Sequence, residues 1–170
     1  KSIGIVGFGD FGKLLVRELS PYFKVFVYDN RGVSDPNVND ADLKTVLSQP
    51  IIIPAIPAQF FEDFFKENSS IVSPDALVVD ICSVKIRPQA VLERLLPKTC
   101  SILATHPMFG PNSTPNGIVG KQIMMHPTRI DQDSYEKIKL FISSSLGLKI
   151  IECTPDEHDK MMAYVQGLSH

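Results

Sequence analysis

Cysteine is scarce in this sequence. Cys82, Cys100 and Cys153 are three residues in 170, with no CxxC pair and no Cys/His spacing of a zinc site. That pattern fits a reducing cytosol, and no metal ligand set is expected. Positive charge is not in excess either: 17 Lys and Arg stand against 19 Asp and Glu, for a formal net charge of -2. The basic surplus of a phosphate-backbone binder is missing, so nucleic acid is not an expected partner. No apolar run approaches the ~18 residues of a membrane span, and the chain opens on a short apolar run instead of a basic region followed by a signal core. No membrane partner is expected, and the location these absences favour is cytoplasmic; a trimmed organellar targeting peptide would leave the same record. Internal repeats and low-complexity stretches are also missing. What remains is a globular composition, 44% hydrophobic and 21% charged, at a length sufficient for one buried core.

Short apolar runs alternate with amphipathic segments. Residues 2–6, 24–28, 51–56, 77–81, 101–105, 122–125 and 149–152 are strand candidates rich in Ile, Val and Leu, and residues 11–19, 59–66, 88–96 and 133–144 carry helical periodicity. Several strands are apolar at consecutive positions, as strands covered on both faces require. The expected class is α/β, a Rossmann-type doubly wound, mostly parallel sheet with helices on both faces. Pro54 inside the third strand opposes that assignment, because proline removes a ladder donor. Residues 30–50 read as a polar turn and then a short helix around 41–47. Thr154-Pro155-Asp156-Glu157 is a capping box that starts a last helix, along which His158, Met162, Gln166 and His170 recur every fourth residue. Both ends look cut. Residues 1–153 are expected to form a nucleotide-binding domain, and residues 154–170 the start of a helix leading to a second, helical domain outside this chain.

Gly7-Phe8-Gly9-Asp10-Phe11-Gly12 follows the first strand and opens the first helix. In that context the glycines serve a tight turn, a close approach to a pyrophosphate and close helix–sheet packing. Asp29 ends the second strand near the offset of about 20 residues at which a carboxylate meets a ribose 2'-hydroxyl, which favours NAD. Arg31, two residues on, keeps NADP possible through a 2'-phosphate contact. The cofactor-binding candidates are therefore Gly7, Phe8, Gly9, Asp10, Phe11, Gly12, Asp29, Asn30, Arg31 and Ser83.

Two further segments end on the same sheet edge. Asp80-Ile81-Cys82-Ser83-Val84-Lys85 closes the fourth strand and His106-Pro107-Met108-Phe109-Gly110-Pro111 closes the fifth. In an open parallel sheet, strand C-termini form the ligand crevice. A histidine there with a pKa near neutrality can accept a hydroxyl proton as hydride leaves the same carbon. His106 and Ser83 are the catalytic candidates, Ser83 orienting the imidazole.

These segments, together with His158-Asp159 and the stretch Gln166-Gly167-Leu168-Ser169-His170, resemble the prephenate and arogenate dehydrogenases of tyrosine biosynthesis over the whole chain. The resemblance implies NAD(P)-dependent oxidative decarboxylation of prephenate to 4-hydroxyphenylpyruvate, or of arogenate to tyrosine. It implies that His106 takes the ring hydroxyl proton, that Ser83 positions it, and that Gly110 and His170 lie with His106 on the substrate side. It also implies a homodimer formed through a missing C-terminal domain, which supplies an arginine for a substrate carboxylate. Other residues read as structural: Lys85, Arg87 and Arg129 as solvated surface charges, His126 as a strand-end turn residue, and His158 as a helix-surface or domain-contact residue. Residues 112–120 read as a loop that either covers the site or simply connects. A 3-hydroxyacid-dehydrogenase-like oxidoreductase, for which Lys160 is the nearby lysine candidate, and a non-catalytic NAD(P)-binding module are the competing readings.

Overall fold

The computed structural model describes residues 1–169. Its eight strands are β1 (Ser2–Val6), β2 (Lys24–Tyr28), β3 (Asn39–Asp40), β4 (Ile51–Pro54), β5 (Leu77–Asp80), β6 (Ser101–Pro107), β7 (Gln122–Arg129) and β8 (Lys149–Glu152). They form one sheet in the order β3-β2-β1-β4-β5-β6-β7-β8. β1 through β6 pair in parallel, β7 pairs antiparallel to β6, and β8 pairs in parallel with β7. The strand order reverses between β1 and β4, the place where doubly wound sheets open a ligand crevice. The fold is the expected Rossmann-type one.

Alternating side chains of the central strands feed two apolar layers. On one face, Val6, Ile52, Val78 and Ile102 pack against residues of α2 (Leu43–Leu47), α3 (Phe61–Asn68) and α4 (Ile86–Leu95), among them Leu47, Phe65 and Leu92. On the other, Ile3, Ile5, Val27 and Ile53 meet Val16 and Leu19 of α1 (Asp10–Leu19), and Leu103 and Met125 meet Tyr135 of α5 (Gln132–Leu140). The last helix, α6 (Pro155–Ser169), packs on α4. Its capping box is formed: Glu157 N–H donates to Thr154 Oγ1 (3.1 Å) and Thr154 N–H to Glu157 Oε1 (2.9 Å).

Several expectations change. β3 is a two-residue strand within the segment read as a turn, and it lies at the sheet edge beside β2. Pro54 is the last residue of β4, and Ala55 N–H supplies the bond to the Val6 carbonyl (2.8 Å), so the proline closes the strand without breaking the ladder. β7 runs four residues further than its apolar pattern, to Arg129. His126 therefore sits inside a strand opposite Ala104 and not in a turn. Antiparallel pairing with the long β6 holds those extra residues, a tertiary effect that local apolarity does not carry.

Candidate functional site

The glycine loop is set by sterics. Gly7 has φ +104° and donates its N–H to the Tyr28 carbonyl (2.7 Å). A Cβ at Gly12 would lie 2.4 Å from the Gly7 carbonyl oxygen, whereas a Cβ at Gly9 would meet nothing within 4 Å. Gly12 thus lets α1 close on the turn, and Gly9 leaves open space beside the loop backbone. No side chain caps the N-terminus of α1, so its first-turn N–H groups are left for an anion. A cavity of about 400 Å³ beside it is lined by Phe8, Gly9, Asp10, Lys13, Asp29 and Arg31 among others. A second, of about 350 Å³, is lined by Gly7, Tyr28, Asp29, Asn30, Ile56 and Phe64 among others.

Asp29 joins the two cavities and braces the loop. Its Oδ2 accepts from Phe8 N–H (2.8 Å) and its Oδ1 from Arg31 N–H (2.8 Å). Burial works against its charge, but these backbone donors and the Arg31 guanidinium outweigh it and hold the carboxyl below the usual carboxylate range. Phe11 stacks on Phe109 with ring centroids 6.4 Å apart, so the first helix and the loop after β6 touch. Residues 112–120 lie along α1, where Arg17 donates to the Thr114 carbonyl (3.1 Å).

The Asp80–Lys85 segment forms a buried polar knot. Lys85 is fully buried and is not the surface charge expected. Its ammonium donates to Asp80 Oδ2 (2.7 Å) and to the Thr105 carbonyl, while Gln89 also donates to Asp80 Oδ2 (2.9 Å) and Cys82 N–H to Oδ1 (2.8 Å). Thr105 Oγ1 donates to the Asp80 carbonyl (2.7 Å), tying β5 to β6 beside His106. Desolvation lowers the Lys85 pKa although Asp80 opposes it. Arg129 is likewise engaged, donating to the carbonyls of Cys100 and Pro97 (both 2.9 Å), whereas Arg87 is exposed beside Glu62 as expected.

His106 is half-buried near the end of β6. Its Nδ1 lies 2.8 Å from Nε2 of His158, and His158 Nδ1 lies 2.7 Å from Asp159 Oδ1. Asp159 in turn accepts the N–H groups of Lys85 (2.9 Å) and Ile86 (3.0 Å) at the start of α4. His158 is thus fully buried and linked to the candidate base, not displayed on a helix surface. Burial, then the neighbouring His158 and Lys85, push the His106 pKa down to about 4.

Ser83 is exposed in the turn after β5, and among the described residues His158, not Ser83, is the partner of His106 Nδ1. Gly110 is in extended backbone after β6, its N–H donating to Ser113 Oγ (3.0 Å). His170 lies outside the described residues. Lys160 is exposed and paired with Asp156 (2.9 Å). Among the described residues no cluster of His, Cys, Asp and Glu is fit to hold a metal, and no helix is long and apolar enough to cross a membrane. The sequence signal for His158 was its adjacency to Asp159 immediately after a capping box, at the start of the helix that packs on α4.

A family model described as prephenate dehydrogenase, nucleotide-binding domain, matches residues 27–141. A probable arogenate/prephenate dehydrogenase of Methanocaldococcus jannaschii is 33% identical over 122 residues, covering 71% of this chain and 27% of the relative. Chloroplastic arogenate dehydrogenase 2 of Arabidopsis thaliana is 28% identical over 197 residues, covering 99% of this chain and 51% of the relative. The crystal structure of prephenate dehydrogenase from Aquifex aeolicus matches with a TM-score of 0.77 at 23% identity, covering 99% of this chain and 66% of that one. The Aquifex aeolicus protein in complex with hydroxyphenyl propionate and NAD+ gives 0.75 at 22% identity, covering 95% and 63%. These likenesses show the fold, and this chain spans only part of each relative's length.

Proposed function

This chain belongs to the prephenate dehydrogenase family, as its nucleotide-binding domain, and on that premise we propose that it binds NAD and takes part in the oxidative decarboxylation of prephenate or arogenate. NADP is the alternative to NAD, through a 2'-phosphate contact at Arg31. The observation that carries the reading is His106. A half-buried imidazole stands on the same sheet edge as the glycine loop, with its Nδ1 committed to a protein partner and its pKa too low for it to be protonated at neutral pH. The ring is therefore free to accept a proton at neutral pH, but at about 4 it is a weaker base than the near-neutral imidazole expected from the sequence. The relative solved with NAD+ and hydroxyphenyl propionate supports both ligand classes.

The residues fit the cofactor. The uncapped start of α1 and the open space above Gly9 accept a pyrophosphate, and Asp29, braced by Phe8 and Arg31, offers its remaining lone pairs to a ribose diol. When bound, the nicotinamide supplies the hydride acceptor. His106 draws the proton from the hydroxyl on the ring carbon that loses hydride, and loss of carbon dioxide makes the ring aromatic. The Asp80–Lys85 knot fixes the end of β6, so the base is held in place before substrate arrives.

The test is His106→Asn, with NAD affinity measured by calorimetry and turnover measured with prephenate and with arogenate. Turnover is expected to fall ~100-fold to ~10,000-fold with nucleotide affinity unchanged. Near-normal turnover in the variant would remove His106 from the chemistry.

A further inference from the structure

The proton positions along His106, His158 and Asp159 follow from one end of the chain. Asp159 accepts the N–H groups of Lys85 and Ile86 at the α4 start. Those donors and the His158 ring outweigh its burial and hold its carboxyl below the usual carboxylate range. An ionised carboxylate only accepts hydrogen bonds. The His158 nitrogen 2.7 Å away, Nδ1, must therefore carry a hydrogen; a bare Nδ1 would set a lone pair against the carboxylate. In the neutral form an imidazole has one N–H, and with that one on Nδ1 the His158 Nε2 is bare. The group 2.8 Å from it, His106 Nδ1, must then be the donor. By the same count His106 Nε2 is bare.

We infer that His158 and Asp159 are positioning residues which hold His106 as its Nδ1–H tautomer and so keep Nε2 as the nitrogen that accepts the substrate proton. The inference deepens the reading of His106 as the base and rests on it. The two rings cross nearly at right angles, 83° between planes with centroids 5.0 Å apart, so the edge of one meets the edge or face of the other without stacking, and the imidazole cannot flip without losing this bond. His158 is itself fixed, fully buried in the first turn of a helix whose start is set by the Thr154–Glu157 box.

The same chain handles the proton after transfer. The substrate O–H bond breaks and an N–H bond forms at His106 Nε2, leaving an imidazolium. Its Nδ1–H already points at His158 Nε2, and passing that hydrogen on moves the positive charge one ring nearer the Asp159 carboxylate. The other charged groups facing the pair are Lys85, which opposes the imidazolium, and Asp80, which favours it and is already neutralised by Lys85. Asp159 is thus the negative group left to balance the charge.

Two-bond proton–nitrogen correlation spectra on the chain with nitrogen-15-labelled histidine, at a pH where both rings are neutral, read the tautomer without substrate. His106 is expected to carry its hydrogen on Nδ1. His158→Gln keeps an amide oxygen to accept from His106 and an amide N–H for Asp159, and is expected to preserve that tautomer. His158→Leu offers no acceptor, and its His106 hydrogen is expected to shift to Nε2 in part or whole. Wild-type His106 protonated on Nε2, or a Leu variant with an unchanged spectrum, overturns the inference. Should the Leu variant fail to fold, the wild-type and Gln spectra decide it. Because no turnover enters this readout, its failure is separable from failure of the general-base assignment, which His106→Asn tests by rate.

Discussion

Asp29 carries two tasks in one side chain. Its oxygens order the glycine loop through Phe8 and the following turn through Arg31, and the same carboxylate lines the cavity proposed for the nucleotide. Removing it therefore differs from removing a simple ligand. Asp29→Ala frees the Phe8 N–H, loosens the loop and deletes the diol acceptor, so NAD affinity is expected to fall by about 10-fold to 100-fold, the equivalent of one charge-assisted hydrogen bond. NADP affinity is expected to fall less, since the carboxylate that repels a 2'-phosphate goes while Arg31 stays. Titrating both nucleotides into the variant checks this, and unchanged NAD binding would show that Asp29 does not read the sugar.

At the scale of an element, the glycine motif separates into a folding part and a binding part. Gly12→Ala places a Cβ 2.4 Å from a backbone oxygen that cannot move away without shifting β1 or α1, while Gly9→Ala places one in open space beside the nucleotide cavity. Gly12→Ala is expected to destabilise by about 1–3 kcal/mol, visible as a lower Tm. Gly9→Ala is expected to leave Tm near that of the parent and to weaken NAD binding at least several-fold. Equal Tm losses in both variants would contradict this division. The motif was legible because its glycines answer local sterics at a strand-to-helix turn, and the strands other than β3 because each carries its own apolar run; β3, Asn39–Asp40, has none. Lys85 was not. Read locally it is a cation after a strand, and only the folded chain brings Asp80, Gln89 and the Thr105 carbonyl around it. The length of β7 escaped for the same reason, being held by its neighbour β6.

Over the whole molecule, the least legible relation was also the most consequential one. His106 and His158 are 52 positions apart and meet only because β7 returns antiparallel to β6 and β8 follows β7, which delivers α6 back across α4 to the end of β6. Sequence order places His106 on the crevice but leaves its partner unassigned, and Ser83, the nearer candidate along the edge, is not the residue that holds Nδ1. Burying this pair makes folding sensitive to pH. The His106 pKa is about 4 in the folded protein against an ordinary 6.5, so between those values the unfolded chain binds a proton that the folded chain refuses. Stability from this group is full above pH 6.5 and is lost as pH falls toward 4. One proton sets a ceiling of about 1.4 kcal/mol per pH unit on that slope, and partial exposure of the ring makes the realised slope shallower. His126, also held below its ordinary value by burial, acts in the same direction. The carboxylates held low, Asp29, Asp159, Glu62 and Glu152 among them, act around and below the ordinary carboxylate range of about pH 4. The difference between proteins isolates His106: urea midpoints of the parent and of His106→Asn, taken between pH 7.5 and 4.5, are expected to converge as the parent loses its advantage. Parallel curves would mean that the imidazole is protonated as readily inside the fold as outside it, and that the burial of the pair does not govern its charge.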